Sequence, residues 1–595
     1  MPTAAARGAR AAMTAPPSRR VALGIVAAVV AIVGLAPFAG PLVALPSNAA
    51  GMAARSVCSG AFVAGRPWRD VLAQDVLPAS AVLCWVDVEV DEPGRTVRAR
   101  FPGGEARVAR RLPGRGCVLE GPGDAARPRA TGPGSPAGIA ATRAATPGRP
   151  DAERRSADGG PAASAAPGAG EASSAVPSVV PPAGQPGNPP GTPPATASTV
   201  PSADPSAPAS TVPSATPSAG SSAGSSAGPS APPPATSSTG PAVPADRGRP
   251  WPQGDAAVPP QAWGEAVDRA ALERVLEAAF EGAGDPAGAN ARGVAIVHRG
   301  RLLADRGAPG FPPGTPLHGW SMSKTVLGLI AHDLAARGAL DLDARLVDAF
   351  PARGAPAWVE RWRADARADV RVADLLHMRD GLAQREEYGA LGSVPRMLWG
   401  GADVAAAAAD AAPEAPAGTR WRYLSASSNL LARAIRARFP DDDGHLAAAH
   451  ALFDAIGART AVVETDADGT WIGSSYLWAS AADWARLGWL ALSDGRWGDA
   501  RPIAPGWLAR ASRPALDDGE GRGYGAHVWR IGDPRAGACR DRGLPEDALA
   551  MRGHWGQVVA IVPSREAVVV RLGWTFDRAR FDACAFVAQV LATLR

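Results

Sequence analysis

The chain has 595 residues, 46% of them hydrophobic and 20% charged, with a formal net charge of +4. So small an excess over that length, carried by scattered arginines, argues against a polyanion partner, and nucleic acid is not expected to bind. The length alone would permit three or four domains, but composition reduces that number.

Residues 1–20 carry Arg7, Arg10, Arg19 and Arg20 with no acid, and residues 21–45 then run without a charge. This is the pattern of a cytoplasmic basic segment followed by a membrane anchor or a signal peptide, with Ser47-Asn48-Ala49 as the alternative cleavage site. The expected location of the rest is periplasmic or otherwise extracytoplasmic, anchored in the inner membrane through residues 21–45. Residues 50–120 read as a small α+β module: a short helix at Trp68–Leu72, a strand at Cys84–Val90, a turn at Glu92-Pro93-Gly94 and a returning strand at Thr96–Ala99. The module contains Cys58, Cys84 and Cys117. An oxidising compartment favours one disulfide here, with Cys58–Cys117 the expected pair, and a second between Cys539 and Cys584.

Residues 121–249 are dominated by Pro, Ala, Ser, Gly and Thr, and between Ala172 and Ala245 the only charged residue is Asp204. Such a stretch buries too little apolar surface to offset its ordering entropy and is expected to be a disordered linker. The remaining region, 258–595, is long enough for a sizeable core. Its apolar spacing predicts a helix over Asp268–Glu281 and strands over Gly293–His298 and Arg301–Asp305, joined by a tight turn at Arg299-Gly300. A mainly helical middle follows, with helices over Arg371–Met378, Asn429–Phe439, Leu446–Ile456 and Ala481–Ser493. Strands return at Gly525–Ile531, Val558–Val562 and Ala567–Leu572, before an amphipathic terminal helix over Asp577–Leu594. Strands from both ends of the region around a helical insert imply an α+β fold: one antiparallel sheet flanked by helices, beside an all-helical lobe.

One position stands out chemically. The chain has 61 Lys plus Arg, and Lys324 is the only lysine. Guanidinium stays charged in any protein setting, whereas a desolvated amine can lose its proton and act as a base. Ser321 lies three residues earlier, on the same face of a helix, so its hydroxyl can meet that amine. Ser323 is adjacent to Lys324 and points away, which makes it the poorer nucleophile. Two further stretches can complete a site. Tyr423, in Trp421–Asn429, is one of four tyrosines and can relay a proton, its ionised form being favoured beside a lysine cation. The other is Arg552-Gly553-His554-Trp555-Gly556-Gln557, where glycine permits close backbone approach and an amide could donate to an oxyanion. His554 reads as substrate-facing or supporting. No metal-ligand spacing occurs, and neither a metal nor another cofactor is expected.

The order of these parts resembles the serine beta-lactamase and penicillin-binding-protein superfamily, in its class C beta-lactamase-related branch, which includes 6-aminohexanoate-dimer hydrolases and family VIII esterases. Ser321-Met322-Ser323-Lys324 is similar to its S-x-x-K element, and Tyr423 with Asn429-Leu430-Leu431 to its tyrosine element. His554-Trp555-Gly556 stands where Lys-Thr-Gly is usual. Residues 258–595 carry the resemblance, and the stretch from Cys58 to Cys117 is similar to an N-terminal extension of some exported members. The resemblance implies an acyl-enzyme on Ser321, activated by Lys324 and Tyr423, with oxyanion donors from Ser321 and the strand after Gly556. It also implies binding roles for His554, Gly556, Gln557, Asn429 and Tyr388. Histidine in place of the third-motif lysine removes a fixed charge for a substrate carboxylate, which turns the expectation from beta-lactams toward a small-molecule amide or ester. Two alternatives stand beside this: a catalytically silent sensor or envelope interaction protein, spaced from the membrane by the linker, and a D,D-peptidase.

Overall fold

The computed structural model describes residues 43–122, 142–144 and 248–595, apart from residues 352, 353, 442, 536 and 538. Segment 1–20, all but the end of segment 21–45 and most of the linker lie outside the described residues. Among the described residues, no helix is long and apolar enough to cross a membrane.

The first helix, α1, covers residues 43–62 and begins before the module's expected boundary. Its sequence is rich in alanine, which favours helix and allows close packing. Ala49, Ala50, Ala53, Ala54 and Val57 are buried on the main core. A Cβ on Gly51 would lie 2.9 Å from the Trp399 carbonyl oxygen, so glycine is required for that approach. Helix α2 (Trp68–Val71) continues through a wider turn, Leu72–Val76. A sheet in the order β4-β3-β2-β1-β5 follows, from β1 (Asp87–Asp91), β2 (Thr96–Arg100), β3 (Arg107–Leu112), β4 (Gly116–Leu119) and β5 (Thr142–Ala144). Cys84 and Trp85 lie in a 3-10 turn before β1, rather than in the strand expected to begin there.

The larger region opens with α3 (Arg269–Ala279), whose N-cap Asp268 accepts from the Ala271 amide. Strands β6 (Ala291–His298) and β7 (Arg301–Gly307) are joined at Arg299 and Gly300, with φ of 49° and 69°. Positive φ at both positions suits a two-residue turn between right-twisted strands. Next come β8 (Leu317–His318), α4 (Ser323–Ala336) and the helical lobe: α5 (Ala357–Arg363), α6 (Val372–Leu376), α7 (Ser393–Trp399), α8 (Val404–Ala409), α9 (Ser425–Arg436) and α10 (Gly444–Ile456). Strands β9 (Val462–Val463) and β10 (Leu477–Ala479) form a small antiparallel sheet with β8. After α11 (Ala481–Leu492) and α12 (Trp507–Ala511), the chain returns as β11 (Trp529–Arg530), β12 (Leu549–Gly553), β13 (Gln557–Val562), β14 (Ala567–Gly573) and α13 (Ala583–Ala592). The expected strand over Gly525–Ile531 is therefore only two residues long.

The main sheet is antiparallel in the order β11-β12-β13-β14-β6-β7. Alternation along β14 sends Val568 and Val570 into the core shared with α11, and Val569 into a second core with Leu272 and Leu276 of α3 and Val587 and Val590 of α13. This is the expected α+β fold, one antiparallel sheet flanked by helices beside a helical lobe.

Residues 43–122 and 248–595 belong to one compact unit. Glu464 is fully buried and accepts from Ser59 Oγ at 2.8 Å and from the Cys117 amide at 2.9 Å, with Arg55 Nε 3.5 Å away. Asp75, also buried, pairs with both Arg66 and Arg292. These contacts correct the picture of a linker that spaces the hydrolase region from the membrane, because the parts on its two sides pack directly on one another. Disulfides join Cys58 to Cys117 and Cys539 to Cys584, and Cys84 is free and exposed.

Candidate active site

Ser321 sits in a 3-10 turn, Trp320–Met322, that runs into α4. Trp320 has φ of 49°, a costly conformation for a bulky residue and of a kind that collects at functional sites. Two glycines make the turn possible: a Cβ on Gly319 would lie 2.1 Å from the Trp484 ring, and one on Gly553 would lie 2.3 Å from the Gly319 carbonyl oxygen. The end of β12 is thus pressed against the serine turn.

Lys324 is 1% exposed. Its Nζ donates to Ser321 Oγ at 3.0 Å, Ser425 Oγ at 3.0 Å and the Ser474 carbonyl at 2.9 Å. Burial lowers its pKa from 10.5 to about 8, against the raising pull of Glu386. Ser323 turns away as expected: its hydroxyl donates to the Trp320 carbonyl and accepts from the Leu477 amide.

Tyr423 makes a hydrogen bond with Ser321, but burial and the Glu386 carboxylate push its pKa above the ordinary phenol value. Lys324 Nζ lies over the phenol ring, 5.0 Å from its centroid, yet does not reverse that shift. The expected stabilisation of a phenolate is therefore corrected: the buried Tyr423 phenol keeps its proton. Tyr388 also bonds Ser321, and its pKa is raised by burial and by Glu386. Its hydroxyl donates to Glu386 Oε1 at 2.8 Å.

Glu386 and Ser425 were not singled out from the sequence. Glu386 accepts from the Ser425 amide at 2.7 Å and the Ser425 hydroxyl at 2.5 Å, so it fixes the hydroxyl that touches Lys324. The available signal was spacing: Ser425 follows Tyr423 by two residues, and Glu386 precedes Tyr388 by two.

The other expected residues divide. His554 stacks on Tyr388 with ring centroids 4.3 Å apart, and burial lowers its pKa to about 3, so the imidazole is neutral. Asn429 sits one step back: its Oδ1 accepts from the Ser474 amide at 3.2 Å and holds the loop whose carbonyl faces Lys324. Gln557 ties a turn together, donating to the His554 carbonyl at 3.0 Å and accepting from the Gly573 amide at 2.9 Å. The Gly556 carbonyl accepts from Arg571 at 2.9 Å. The oxyanion donors expected after Gly556 need correcting, because β13 lies inside the sheet between β12 and β14, where ladder partners take up its backbone groups. The backbone that abuts the serine turn is Gly553.

A cation is nonetheless present. Arg552 has no ion-pair partner among the described residues, and its charge acts on Tyr423. Beside Ser321 opens a pocket with about 600 Å³ of empty space, counted out to solvent, bounded by Trp320, Tyr388, His554 and Trp555 and, opposite, by residues of α1 and the 79–83 turn. Among the described residues, no group of three His, Cys, Asp or Glu side chains could hold a metal.

A buried Ser-x-x-Lys at the crossing of an antiparallel sheet and a helical lobe defines a serine beta-lactamase and penicillin-binding-protein-like architecture. The chain belongs to the Beta-lactamase family, whose model matches residues 276–592, and this superfamily is one of serine hydrolases. Similar solved structures include one from Bacillus anthracis described as a 6-aminohexanoate-dimer hydrolase, at 18% identity over 54% of this chain and 82% of that one, TM-score 0.43. A family VIII carboxylesterase matches at 15% identity over 55% of this chain and 96% of its own, TM-score 0.42. A penicillin-binding-protein homologue from Pyrococcus abyssi matches at 15% identity over 55% and 77%, TM-score 0.40. No curated protein matches the chain.

Proposed function

We propose that the protein is an exported serine hydrolase that cleaves a small amide or ester through an acyl-enzyme on Ser321. The observation that carries this is the buried Lys324 amine, 3.0 Å from Ser321 Oγ and facing only neutral oxygens. With no acid in contact, the amine gives up its proton near pH 8 and becomes a base.

As Ser321 Oγ bonds to the substrate carbonyl carbon, its proton passes to neutral Lys324. The carbonyl π electrons move to oxygen, giving a tetrahedral oxyanion. When that species collapses, the bond to the leaving group breaks. Tyr423 donates its proton to the departing atom and recovers one from the Lys324 ammonium, which resets the base. Water then repeats the sequence on the acyl ester. Ser425, Glu386 and Asn429 position these groups. Two disulfides within the described residues agree with an extracytoplasmic site of action.

The test is labelling with a fluorophosphonate alongside turnover of p-nitrophenyl esters. Labelling that persists in Ser321→Ala removes the assignment. A second reading, a D,D-peptidase, is favoured by Arg552, whose unpaired guanidinium could take a substrate carboxylate in place of the absent lysine. Covalent binding of a fluorescent penicillin at Ser321, lost in Arg552→Leu, would bring that reading forward.

A further inference from the structure

The pocket beside Ser321 is built by two parts of the chain, and only one of them carries the nucleophile. Trp320 and Tyr388 join it to the serine turn, while Leu45, Met52, Val82 and Leu83 face it from the N-terminal side. No Asp, Glu, Lys or Arg lines it among the described residues, and its only imidazole, that of His554, is neutral. A wall of this kind gains from burying an alkyl chain and leaves an ionised group without a partner.

The apolar surface does not stop at the pocket. Among the described residues, the exposed large hydrophobic side chains are Val43, Trp85 and Leu391, at 81%, 64% and 36% exposure. All three stand at the pocket's margin by connectivity alone, since consecutive Cα atoms are about 3.8 Å apart. Val43 precedes the lining residue Leu45 by two positions, and Leu391 directly follows the lining residue Ala390. Trp85 comes three after Val82 in the 3-10 turn Ala81–Trp85, where residues three apart lie one above the other. Scattered single hydrophobics need no explanation, but a set confined to one margin marks an interaction surface. Its position in the chain points to the partner. Val43 and Leu45 belong to the charge-free run 21–45, long enough to span a bilayer, and tryptophan is a residue that settles at a membrane–water boundary.

We infer that this margin meets a lipid bilayer and that the pocket takes in an alkyl chain from it, so that the substrate is a lipid-like ester or amide cleaved at the membrane surface. The inference rests on the serine hydrolase reading and deepens it by naming the substrate class and by giving the N-terminal segment a share in specificity. An alkyl chain that moves from the bilayer across an apolar margin into an apolar pocket is spared a passage through water.

The test uses the full chain reconstituted in phosphatidylcholine vesicles, with fluorogenic esters that differ in where the long chain sits. In 4-methylumbelliferyl palmitate it is on the acyl side and in 4-heptadecylumbelliferyl butyrate on the leaving group, both dissolved in the bilayer, and 4-methylumbelliferyl butyrate is the short reference. The quantity read is kcat/KM for a long-chain ester over that for the reference. Val82→Asp puts a carboxylate into the wall, and Trp85→Gln with Leu391→Gln makes the margin polar. Each is expected to lower the ratio by about ten-fold for one of the two esters. Arg98→Ala, on β2 and not among the lining residues, keeps it. A ratio unchanged in both variants for both esters overturns the inference, and so does a wild type that labels with the fluorophosphonate but turns over neither long-chain ester. A fall with Val82→Asp alone overturns the bilayer contact, and a fall with the margin variant alone overturns the alkyl pocket. A mature chain whose N-terminus maps to Ala50 lacks Val43 and Leu45 and overturns both. Absence of both turnover and labelling in the wild type overturns the serine hydrolase reading, and the substrate class with it.

Discussion

Two buried regions of this molecule face the same electrostatic problem and resolve it differently. At the seam between the N-terminal segment and the sheet, Arg66 and Arg292 share Asp75, and Arg55 lies against Glu464, so buried cations meet buried carboxylates. At the serine turn, Lys324 is as deeply buried but meets two hydroxyls and a carbonyl. A guanidinium cannot shed its charge and must be paired, whereas an amine can relieve its desolvation by losing a proton. The arginines therefore hold parts together, and the single lysine is left able to react.

The sharpest way to break that comparison is to exchange the cations. Lys324→Arg puts a permanent charge where a base is required, and kcat/KM for a p-nitrophenyl ester is expected to fall by about 10³-fold. Undiminished turnover would remove the proposed chemistry. The next largest effect lies at the seam. Asp75→Asn leaves two buried guanidinium groups without their carboxylate and is expected to cost about 3–5 kcal/mol in denaturant unfolding. A loss below about 1 kcal/mol would show that the seam does not depend on its ion pairs.

The same contrast explains what could be read from residues alone. Lys324 was legible because it is unique in composition, and Ser321 because a helix puts i and i+3 on one face. The β6–β7 turn was legible because Arg299-Gly300 separates two short apolar runs, Val294–Val297 and Leu302–Ala304. Glu386 was not, because its role depends on a fold that brings it across to Ser425, 39 positions later. Docking of α1 was hidden for a related reason: its buried face is mostly alanine, which carries little periodic contrast. The phenolate expected at Tyr423 failed because burial and Glu386, neither visible in the local sequence, outweigh the nearby amine.

Stability against pH sharpens the comparison from the lysine side. The folded pKa of about 8 lies below the ordinary 10.5, so between those values the unfolded chain holds a proton that the folded chain has lost. Stability from this group therefore rises with pH from about 8 to 10.5, and below 8 the whole penalty of about 3 kcal/mol is present. Lys324→Met removes the group, so unfolding of the wild type measured against that variant should show the wild type gaining over this window. A flat difference would mean that the amine is not desolvated.

The smallest effect expected is also the most specific to the site. Glu386 raises the Lys324 pKa through its charge and holds Ser425 by two hydrogen bonds. Glu386→Gln keeps the shape and removes the charge. The ammonium then loses its stabilising neighbour, so the rising limb of kcat/KM against pH should move below 8, while the plateau falls about ten-fold as Ser425 loses a charge-assisted partner. A purely structural glutamate would lower the plateau without moving the limb. The position of the limb thus separates a carboxylate that tunes the base from one that only shapes the loop, and an acid-ward shift would place Glu386 in the proton chemistry of the serine turn.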